Sequence, residues 1–259
     1  MSEQYRGVFD LHNKNAVITG ASSGIGNVVA LTLAKQGCNV ALLARSRDAL
    51  EKLASECSTH GVQAHVIVCD MSSKQSVEDA CKQIQQVFES KLHVLINNAG
   101  TFGERVPSTE EKTPSGKDLV DMWEEVMMVN LVNLMRLTGR CLPMMKELKH
   151  GAIITISSLA ATMTGGGVVQ YHASKWGVNG FLGSIYEDVR EYGIKVCSIM
   201  PGFVNTPMIQ GEDAKKLNLD KCIQSEDIAE GVLYVLRTPY NVCPTEIKYR
   251  PQYTPYMKN

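Results

Sequence analysis

Short runs of consecutive apolar residues alternate along this chain with longer segments in which apolar residues recur every three or four positions. The second pattern is that of amphipathic helices, whereas uninterrupted apolar runs are typical of strands that are buried on both faces of a sheet. The runs predict strands at residues 15–19, 39–43, 63–68, 93–96, 151–156, 194–200 and 246–249. The periodic segments predict helices at residues 24–36, 47–59, 74–89, 118–145, 172–192 and 225–237.

This alternation of strands and helices predicts the α/β class. We expect a single domain over residues 1–259 with a Rossmann fold, in which helices cover both faces of a doubly wound parallel sheet of about seven strands. No linker or low-complexity tract divides the 259 residues. Ligands of such sheets bind at the carboxyl ends of the strands, so the loops after each strand should carry the chemistry.

The composition argues against several classes of protein. The chain has 26 basic and 27 acidic residues and a formal net charge of -1, which does not favour a nucleic-acid-binding surface. Its eight cysteines form no C-x-x-C pair and no zinc-ligand spacing, so we expect reduced thiols and no metal site. The polar N-terminal stretch and the lack of a long apolar run predict a cytoplasmic protein without a secretory signal or a membrane partner.

The segment TGASSGIG, residues 19–26, follows the first predicted strand and opens the first predicted helix. Glycines let the backbone approach a pyrophosphate closely, and a helix N-terminus supplies free N–H groups and a positive dipole end. In this context a nucleotide site is favoured over a purely structural turn. The residues that would contact the nucleotide here are Gly20, Ser22, Ser23, Gly24, Ile25 and Gly26.

The end of the second predicted strand bears on which dinucleotide would bind. A carboxylate there accepts hydrogen bonds from the ribose 2′-OH of NAD, whereas an arginine accommodates the 2′-phosphate of NADP. The usual acidic position holds Ala44, and Arg45 follows it. We therefore expect NADP(H) to be preferred, with NAD(H) possible. The alternative is that Arg45 and Arg47 are solvated charges at the start of the next helix.

Candidate acid–base chemistry lies in YHASK, where Tyr171 and Lys175 are four residues apart and therefore share one helix face. A free tyrosine has a pKa of ~10, and a nearby ammonium can stabilise its phenolate. Such a pair is common on any amphipathic helix. Here, however, Ser157 and Ser158 end the fifth predicted strand, where a hydroxyl could hold a carbonyl oxygen towards the tyrosine.

These motifs, with NNAG at residues 97–100 and PGFVNT at 201–206, occur in the order that is typical of short-chain dehydrogenases/reductases, and the chain resembles that family. Its glycine spacing and length fit the compact branch of the family, and Arg45 fits an NADP(H)-dependent member. The stretch 245–251 is similar to that of carbonyl reductases and 3-hydroxy-acid dehydrogenases. The physical alternative for NNAG alone is a turn at the edge of the sheet.

The resemblance implies a catalytic set of Asn130, Ser158, Tyr171 and Lys175, in which the register to the tyrosine selects Ser158 over Ser157. It implies that Lys175 also binds the nicotinamide ribose and that the Asn130 backbone holds a water in a proton relay. A solvent-facing role is the alternative for Asn130, and a helix N-cap is the alternative for Asp70. Further cofactor contacts implied by the resemblance are Asp70, Met71, Asn97, Ala99, Gly100, Tyr171, Lys175, Pro201, Gly202, Val204 and Thr206.

Substrate choice is expected from three less regular segments: a flexible loop at 101–117, the segment 159–170, and a predicted lid at 207–222. His172 is expected on an exposed helix face rather than in catalysis. The function we favour is NADP(H)-dependent reduction of a ketone or aldehyde to an alcohol, or the reverse oxidation, with Tyr171 as general acid/base. The alternatives are an NAD-dependent alcohol or hydroxysteroid-type dehydrogenase and a catalytically silent NADP(H)-binding sensor or scaffold. The resemblance also implies a homodimer or homotetramer formed through the two long helices.

Overall fold

All seven predicted strands are present, and their bounds agree with the prediction to within one residue. The computed structural model of the protein describes residues 7–209 and 215–257. The strands are β1 Asn15–Thr19, β2 Asn39–Ala44, β3 Ala64–Val68, β4 Val94–Asn97, β5 Gly151–Ile156, β6 Ile194–Pro201 and β7 Glu246–Tyr249. They form one parallel sheet in the order β3-β2-β1-β4-β5-β6-β7. Strands β2 and β3 are added on one side of β1, and β4 to β7 on its other side. The switch point where such sheets bind ligands therefore lies between β1 and β4.

Helices cover both faces of this sheet, as the sequence predicts. They are α1 Gly24–Lys35, α2 Arg47–Ser58, α3 Lys74–Val87, α4 Leu119–Met127, α5 Asn133–Leu148, α6 Val169–Val189 and α7 Ser225–Arg237. Alternate residues of β1 face opposite cores: Ile18 packs with α1, α2 and α7, whereas Val17 packs with α3, α5 and α6. The molecule is therefore a single doubly wound Rossmann-like domain.

The outermost strands depart from the prediction of full burial. The apolar run of β3 is only half covered, and its Val68 is 38% exposed. In β7, exposed and half-buried residues alternate. Both strands lie at the edges of the sheet, where one side has no neighbouring strand, and the apolar run of β3 did not by itself distinguish that strand from the central ones.

The long helix predicted at 118–145 is continuous but not uniform. A π-helical turn, Met128–Val132, separates α4 from α5, and Asn130 lies in its middle. Such turns interrupt the regular helical ladder and are frequent at functional sites. The Asp118 side chain caps α4 by accepting hydrogen bonds from the backbone N–H groups of Val120 and Asp121.

Helix α6 begins at Val169, three residues before the predicted start. Its first turn is closed by the Val168 carbonyl, which accepts hydrogen bonds from the backbone N–H groups of Tyr171 and His172. Tyr171 consequently sits inside the first turn, in a rigid backbone setting.

All eight cysteines are free thiols, and seven of them are buried. In the parts of the chain that the structure describes, no three His, Cys, Asp or Glu side chains are grouped in a way that could hold a metal ion. None of the helices in these parts has the length and apolar character needed to cross a bilayer.

Candidate active site

The loops after β1 and β4 are tied together at the switch point by Thr19 and Asn98. The Thr19 hydroxyl accepts hydrogen bonds from the backbone N–H groups of Asn98 (2.9 Å) and Ala99 (3.0 Å). The Asn98 side-chain amide donates to the carbonyls of Thr19 (2.9 Å) and Gly20 (3.2 Å). Sequence reasoning gave Asn98 no role. Its position inside NNAG was the only available signal, because the partners lie almost eighty residues away.

The glycine loop is shaped for close backbone approach. Gly20 and Gly24 have φ angles of +65° and +55°, which side chains with a Cβ rarely adopt. A Cβ on Gly24 would lie 3.2 Å from Thr206 Cγ2, so the loop after β6 packs directly on the glycine loop. Ser23 precedes α1, but its side chain does not cap the helix. The N–H groups of the first turn therefore remain available for an anion such as a pyrophosphate.

Two arginines at the end of β2 have different surroundings. Arg45 directly follows Ala44 and is exposed at the carboxyl edge of the sheet. Arg47 forms an exposed i,i+4 ion pair with Glu51, at 3.6 Å. The alternative of a helix-surface charge thus describes Arg47, while Arg45 is an exposed arginine directly after β2.

Asp70 does not cap the following helix. Its Oδ1 accepts hydrogen bonds from the backbone N–H and the hydroxyl of Ser72, both at 2.9 Å. The cap of α3 is Ser73, whose hydroxyl accepts from the backbone N–H of Ser76. The helix-cap alternative for Asp70 is therefore wrong, and the carboxylate is held by a local turn next to β3.

The side chains of Ser158, Tyr171 and Lys175 meet in a buried space at the carboxyl edge of β5. Tyr171 is 7% exposed and Lys175 is 5% exposed. The Tyr171 hydroxyl is hydrogen-bonded to the Ser158 side chain. The Lys175 ammonium donates to the carbonyl of Ile156 (3.1 Å) and lies 5.6 Å from the centre of the Tyr171 ring. A phenol, a hydroxyl and a cation thus converge where this fold binds ligands.

Burial dominates the ionisation of this group. It raises the pKa of Tyr171 to about 12, and the hydrogen bond from Ser158 opposes that rise only in part. Burial lowers the pKa of Lys175 to about 8. The expectation that the ammonium lowers the pKa of the phenol is therefore not met by the protein alone, because Lys175 is directed to a backbone carbonyl. At neutral pH the phenol keeps its proton.

The neighbouring Ser157 has a different task. Its hydroxyl donates to Asn179 Oδ1 (3.1 Å), which also accepts from the Ser198 hydroxyl (2.8 Å). Asn179 lies one turn after Lys175 on α6 and so joins β5 and β6 to the helix that carries the tyrosine and the lysine. With Ser157 engaged below the site, Ser158 is the hydroxyl that reaches Tyr171. Nothing in the sequence pattern singled out Asn179.

Asn130 is not solvent-facing: it is 1% exposed and hydrogen-bonded through both ends of its amide. Its side chain accepts from the backbone N–H of Thr101 and donates to the Thr101 carbonyl, each at 2.8 Å, and donates to the Ser174 hydroxyl at 3.0 Å. A Cβ on Gly100 would lie 3.3 Å from Asn130 Oδ1 and 3.8 Å from Lys175 Nζ. Asn130 therefore lies beside Lys175 and fixes the start of the loop after β4.

The first part of the predicted flexible loop is anchored. The Gln170 side chain donates to the carbonyls of Phe102 (2.9 Å) and Glu104 (3.1 Å), and the Val106 N–H donates to the Gly167 carbonyl (2.8 Å). This holds the Phe102 ring against that of Tyr171, with 4.1 Å between ring centres and 30° between planes. Residues 101–106 therefore have tertiary partners, and the flexibility expected of the whole segment stays a prediction.

The environment of His172 differs from the expectation, and the predicted lid is described only in part. His172 is half-buried, and its Nδ1 is hydrogen-bonded to the Ala160 carbonyl at 3.0 Å, so it supports the segment after β5 rather than an exposed helix face. Of the predicted lid at 207–222, residues 210–214 lie outside the described residues. The part that follows contains a short 3₁₀ turn, Leu219–Lys221.

The other residues expected at the cofactor are close to the same edge, but two have side chains committed elsewhere. The Asn97 amide is buried and donates to the hydroxyls of Thr138 (3.1 Å) and Thr155 (3.4 Å). The Met71 side chain is part of the core. Asn97 Oδ1, by contrast, is buried without a hydrogen-bond partner among the described residues. The set is completed by loop residues Ser22, Ala99, Gly202 and Val204, by Ile25 in the first turn of α1 and by Pro201 at the end of β6.

The chain is similar to proteins of one known family. The model of the short chain dehydrogenase family matches residues 14–217. An uncharacterized oxidoreductase of Staphylococcus aureus is 32% identical over 245 residues, which cover 93% of this chain and 98% of that protein.

Solved structures show the same likeness. An alcohol dehydrogenase of Thermococcus sibiricus complexed with 5-hydroxy-NADP is 28% identical, with a TM-score of 0.80 over 94% of this chain and 98% of that one. A variant of actinorhodin polyketide ketoreductase with NADPH is 26% identical, with a TM-score of 0.79 over 92% and 96% of the two chains.

Proposed function

The chain belongs to the short chain dehydrogenase family of oxidoreductases, and we propose that it reduces a ketone or aldehyde to an alcohol, or catalyses the reverse reaction, with NADP(H) as cofactor. The observation that carries this proposal is the buried meeting of Ser158, Tyr171 and Lys175 beside the glycine loop. When bound, the nicotinamide supplies the hydride for reduction and accepts it in oxidation. The protein contributes the positioning and the proton.

Tyr171 is the proposed general acid/base. In reduction it would donate its proton to the carbonyl oxygen, and a phenol with a pKa of about 12 is fully protonated at neutral pH and ready for that step. Ser158, which already bonds to this phenol, would hold the same oxygen in place. In oxidation the phenol must first lose its proton, and shifting its pKa from about 12 to 7 requires roughly 7 kcal/mol of phenolate stabilisation.

Lys175 and Asn130 are the proposed supporting members of the catalytic set. With a pKa of about 8, Lys175 is mostly cationic at pH 7, so it can stabilise negative charge on the reacting oxygen and bond to the ribose. The Asn130 side chain is engaged by Thr101 and Ser174, which leaves its backbone for the water of the proton relay. That engagement also explains why the position needs an amide, which donates and accepts at once.

The choice of NADP(H) over NAD(H) rests on Arg45. Its exposed side chain follows Ala44 at the end of β2, where a guanidinium can bind a 2′-phosphate and where alanine replaces the carboxylate that would repel that phosphate. The solved relatives bound to NADP or NADPH support this choice. The glycine loop, with Gly24 and Gly26 at the uncapped start of α1, would hold the pyrophosphate.

We also propose that the protein assembles as a homodimer or homotetramer through the two long helical segments. Both carry exposed apolar side chains: Val132 (36% exposed) at the end of the π-helical turn, Met135 (41%) in the first turn of α5, and Trp176 (50%) on α6. Apolar groups of this size gain free energy when a partner covers them.

The first experiment compares initial rates with NADPH and NADH against ketones, 3-oxo acids, dicarbonyls and quinones. We expect turnover with NADPH to exceed that with NADH. Turnover with NADH alone would contradict the role of Arg45 and favour an NAD-dependent dehydrogenase. Cofactor binding without turnover of any carbonyl compound or alcohol would favour a cofactor-binding sensor.

The second experiment replaces Tyr171 by phenylalanine, which keeps the ring and its stacking on Phe102 but removes the exchangeable proton. We expect kcat to fall by roughly 10²–10⁴-fold, while the cofactor Kd, measured by fluorescence titration, stays the same. Tyr234→Phe, at a 60% exposed tyrosine of α7, is the matched control and should leave both quantities unchanged. Normal turnover by Tyr171→Phe would refute the mechanism.

A further inference from the structure

The phenol of Tyr171 is enclosed by apolar groups from two separate segments. The Phe102 ring stacks on it from the loop after β4, and Ala160 and Val168 pack around it from the segment between β5 and α6. Ala160 and Val168 are 9% and 8% exposed, whereas Phe102 is only half-buried. The ring of Tyr171 is therefore flanked by apolar groups, and part of the Phe102 ring that stacks on it is open to solvent.

Hydrogen bonds from a buried side chain fix the backbone that carries the Phe102 ring. Gln170, which is 3% exposed, donates hydrogen bonds to the carbonyls on both sides of Gly103, those of Phe102 and Glu104. Gly103 has a φ of +69°, and a Cβ there would lie 2.8 Å from Val126 Cγ2 on α4. The segment thus fits only in this path. Phe102 is a preformed wall of the site.

We propose that Phe102 determines specificity, and that the enzyme favours uncharged carbonyl compounds with an aromatic ring next to the carbonyl group over short aliphatic compounds and oxo acids. This inference rests on the proposed function, because the wall lies beside the group that would protonate the carbonyl oxygen. A substrate ring placed against Phe102 buries apolar surface and gains an aromatic contact. A carboxylate placed there loses hydration without gaining a partner from the wall.

The expected size of the effect follows from contacts of this kind. The loss of one apolar group from a substrate pocket changes kcat/KM by about 10–200-fold. Because the wall contacts the substrate in the ground state as well, most of this change should appear in KM. Leucine fills part of the space of phenylalanine, so Phe102→Leu should have a smaller effect than Phe102→Ala.

The test measures kcat and KM of the full chain with NADPH for 1-phenylpropane-1,2-dione, butane-2,3-dione and 3-oxobutanoate. In the unmodified protein the phenyl compound should have the highest kcat/KM. Phe102→Ala should lower that value by about tenfold or more and change the other two far less, with Phe102→Leu between. Tyr253→Leu, which removes an aromatic ring that is 69% exposed in the C-terminal segment, is the control and should change none of them.

A binding measurement separates this inference from the proposed function. Calorimetry with the phenyl compound uses Tyr171→Phe, which should bind without turnover, and the double variant Tyr171→Phe/Phe102→Ala. Weaker binding by the double variant supports the role of Phe102 in substrate binding. If the unmodified protein then showed no turnover with either cofactor, the proposed function would be refuted but the role of Phe102 would not. Equal binding, an unchanged ranking of substrates in Phe102→Ala, or a preference of the unmodified protein for 3-oxobutanoate would each overturn the inference.

Discussion

Replacing Gly26 by alanine tests how the glycine loop and the NNAG loop depend on each other. A Cβ on Gly26 would lie 2.9 Å from the Gly20 carbonyl carbon, and nearer still to Gly20 O and to Asn98 Nδ2. Ordinary contacts between carbon atoms are about 3.5–4.0 Å, so the backbone at Gly20 must move. The added methyl group would also clash with Asn98 Nδ2, which donates hydrogen bonds to Thr19 O and Gly20 O, so these two hydrogen bonds would be distorted.

The magnitude combines two effects. Overpacking of this kind costs roughly 1–3 kcal/mol, and weakening the Asn98 hydrogen bonds adds about 1 kcal/mol. We expect Gly26→Ala to lower the free energy of unfolding by about 2–4 kcal/mol without cofactor. It should also weaken cofactor binding, because the displaced backbone forms the pyrophosphate cradle. The assays are urea unfolding followed by circular dichroism and fluorescence titration with NADPH.

The matched control is Gly139→Ala in the middle of α5, where a Cβ would meet nothing within 4 Å. Alanine is the better helix former by roughly 0.5–1 kcal/mol, so this variant should be at least as stable as the unmodified protein. Both substitutions add one methyl group to a helix, and only the available space differs. If Gly26→Ala unfolded at the same urea concentration as Gly139→Ala and bound NADPH normally, the reasoning would be refuted.

Two further predictions concern groups away from the reacting atoms. Asn179→Leu removes the acceptor shared by the hydroxyls of Ser157 and Ser198, so it should lower the free energy of unfolding by roughly 1–3 kcal/mol. It should also lower kcat with little change in cofactor Kd. Unchanged kcat and stability would contradict the positioning role of Asn179. Burial and then the charge of Lys14 lower the pKa values of His93 and His150 to about 4. Their unfolded-state pKa is about 6.5, so the unfolded chain binds more protons between these values, and the melting temperature should fall as the pH is lowered from 6.5 towards 4. His93→Gln should reduce that slope, and an identical slope in the variant would exclude His93 as a cause.

Local patterns in the sequence were enough to locate the strands and most of the candidate site. Continuous apolar runs gave the strand bounds to within one residue, because burial in a parallel sheet demands such runs. The spacing of Tyr171 and Lys175 places them on one helix face whatever surrounds them. A serine after β5 was expected near them because this fold binds its ligands at the carboxyl ends of the strands, and the family resemblance selected Ser158 over Ser157.

Only the tertiary structure decided the features that depend on partners far away in the chain. Asn98 ties the loop to Thr19, Asn179 joins Ser157 to Ser198, and Phe102 stacks on Tyr171, and none of these contacts has a local signature. The direction of the Tyr171 pKa was likewise beyond the sequence. The residue types suggested a lowered value, but ionisation depends on how much water reaches the group, and packing excludes that water. Sequence periodicity fixes which face of an element is apolar, whereas the identity of the atoms it meets is set by the assembled fold.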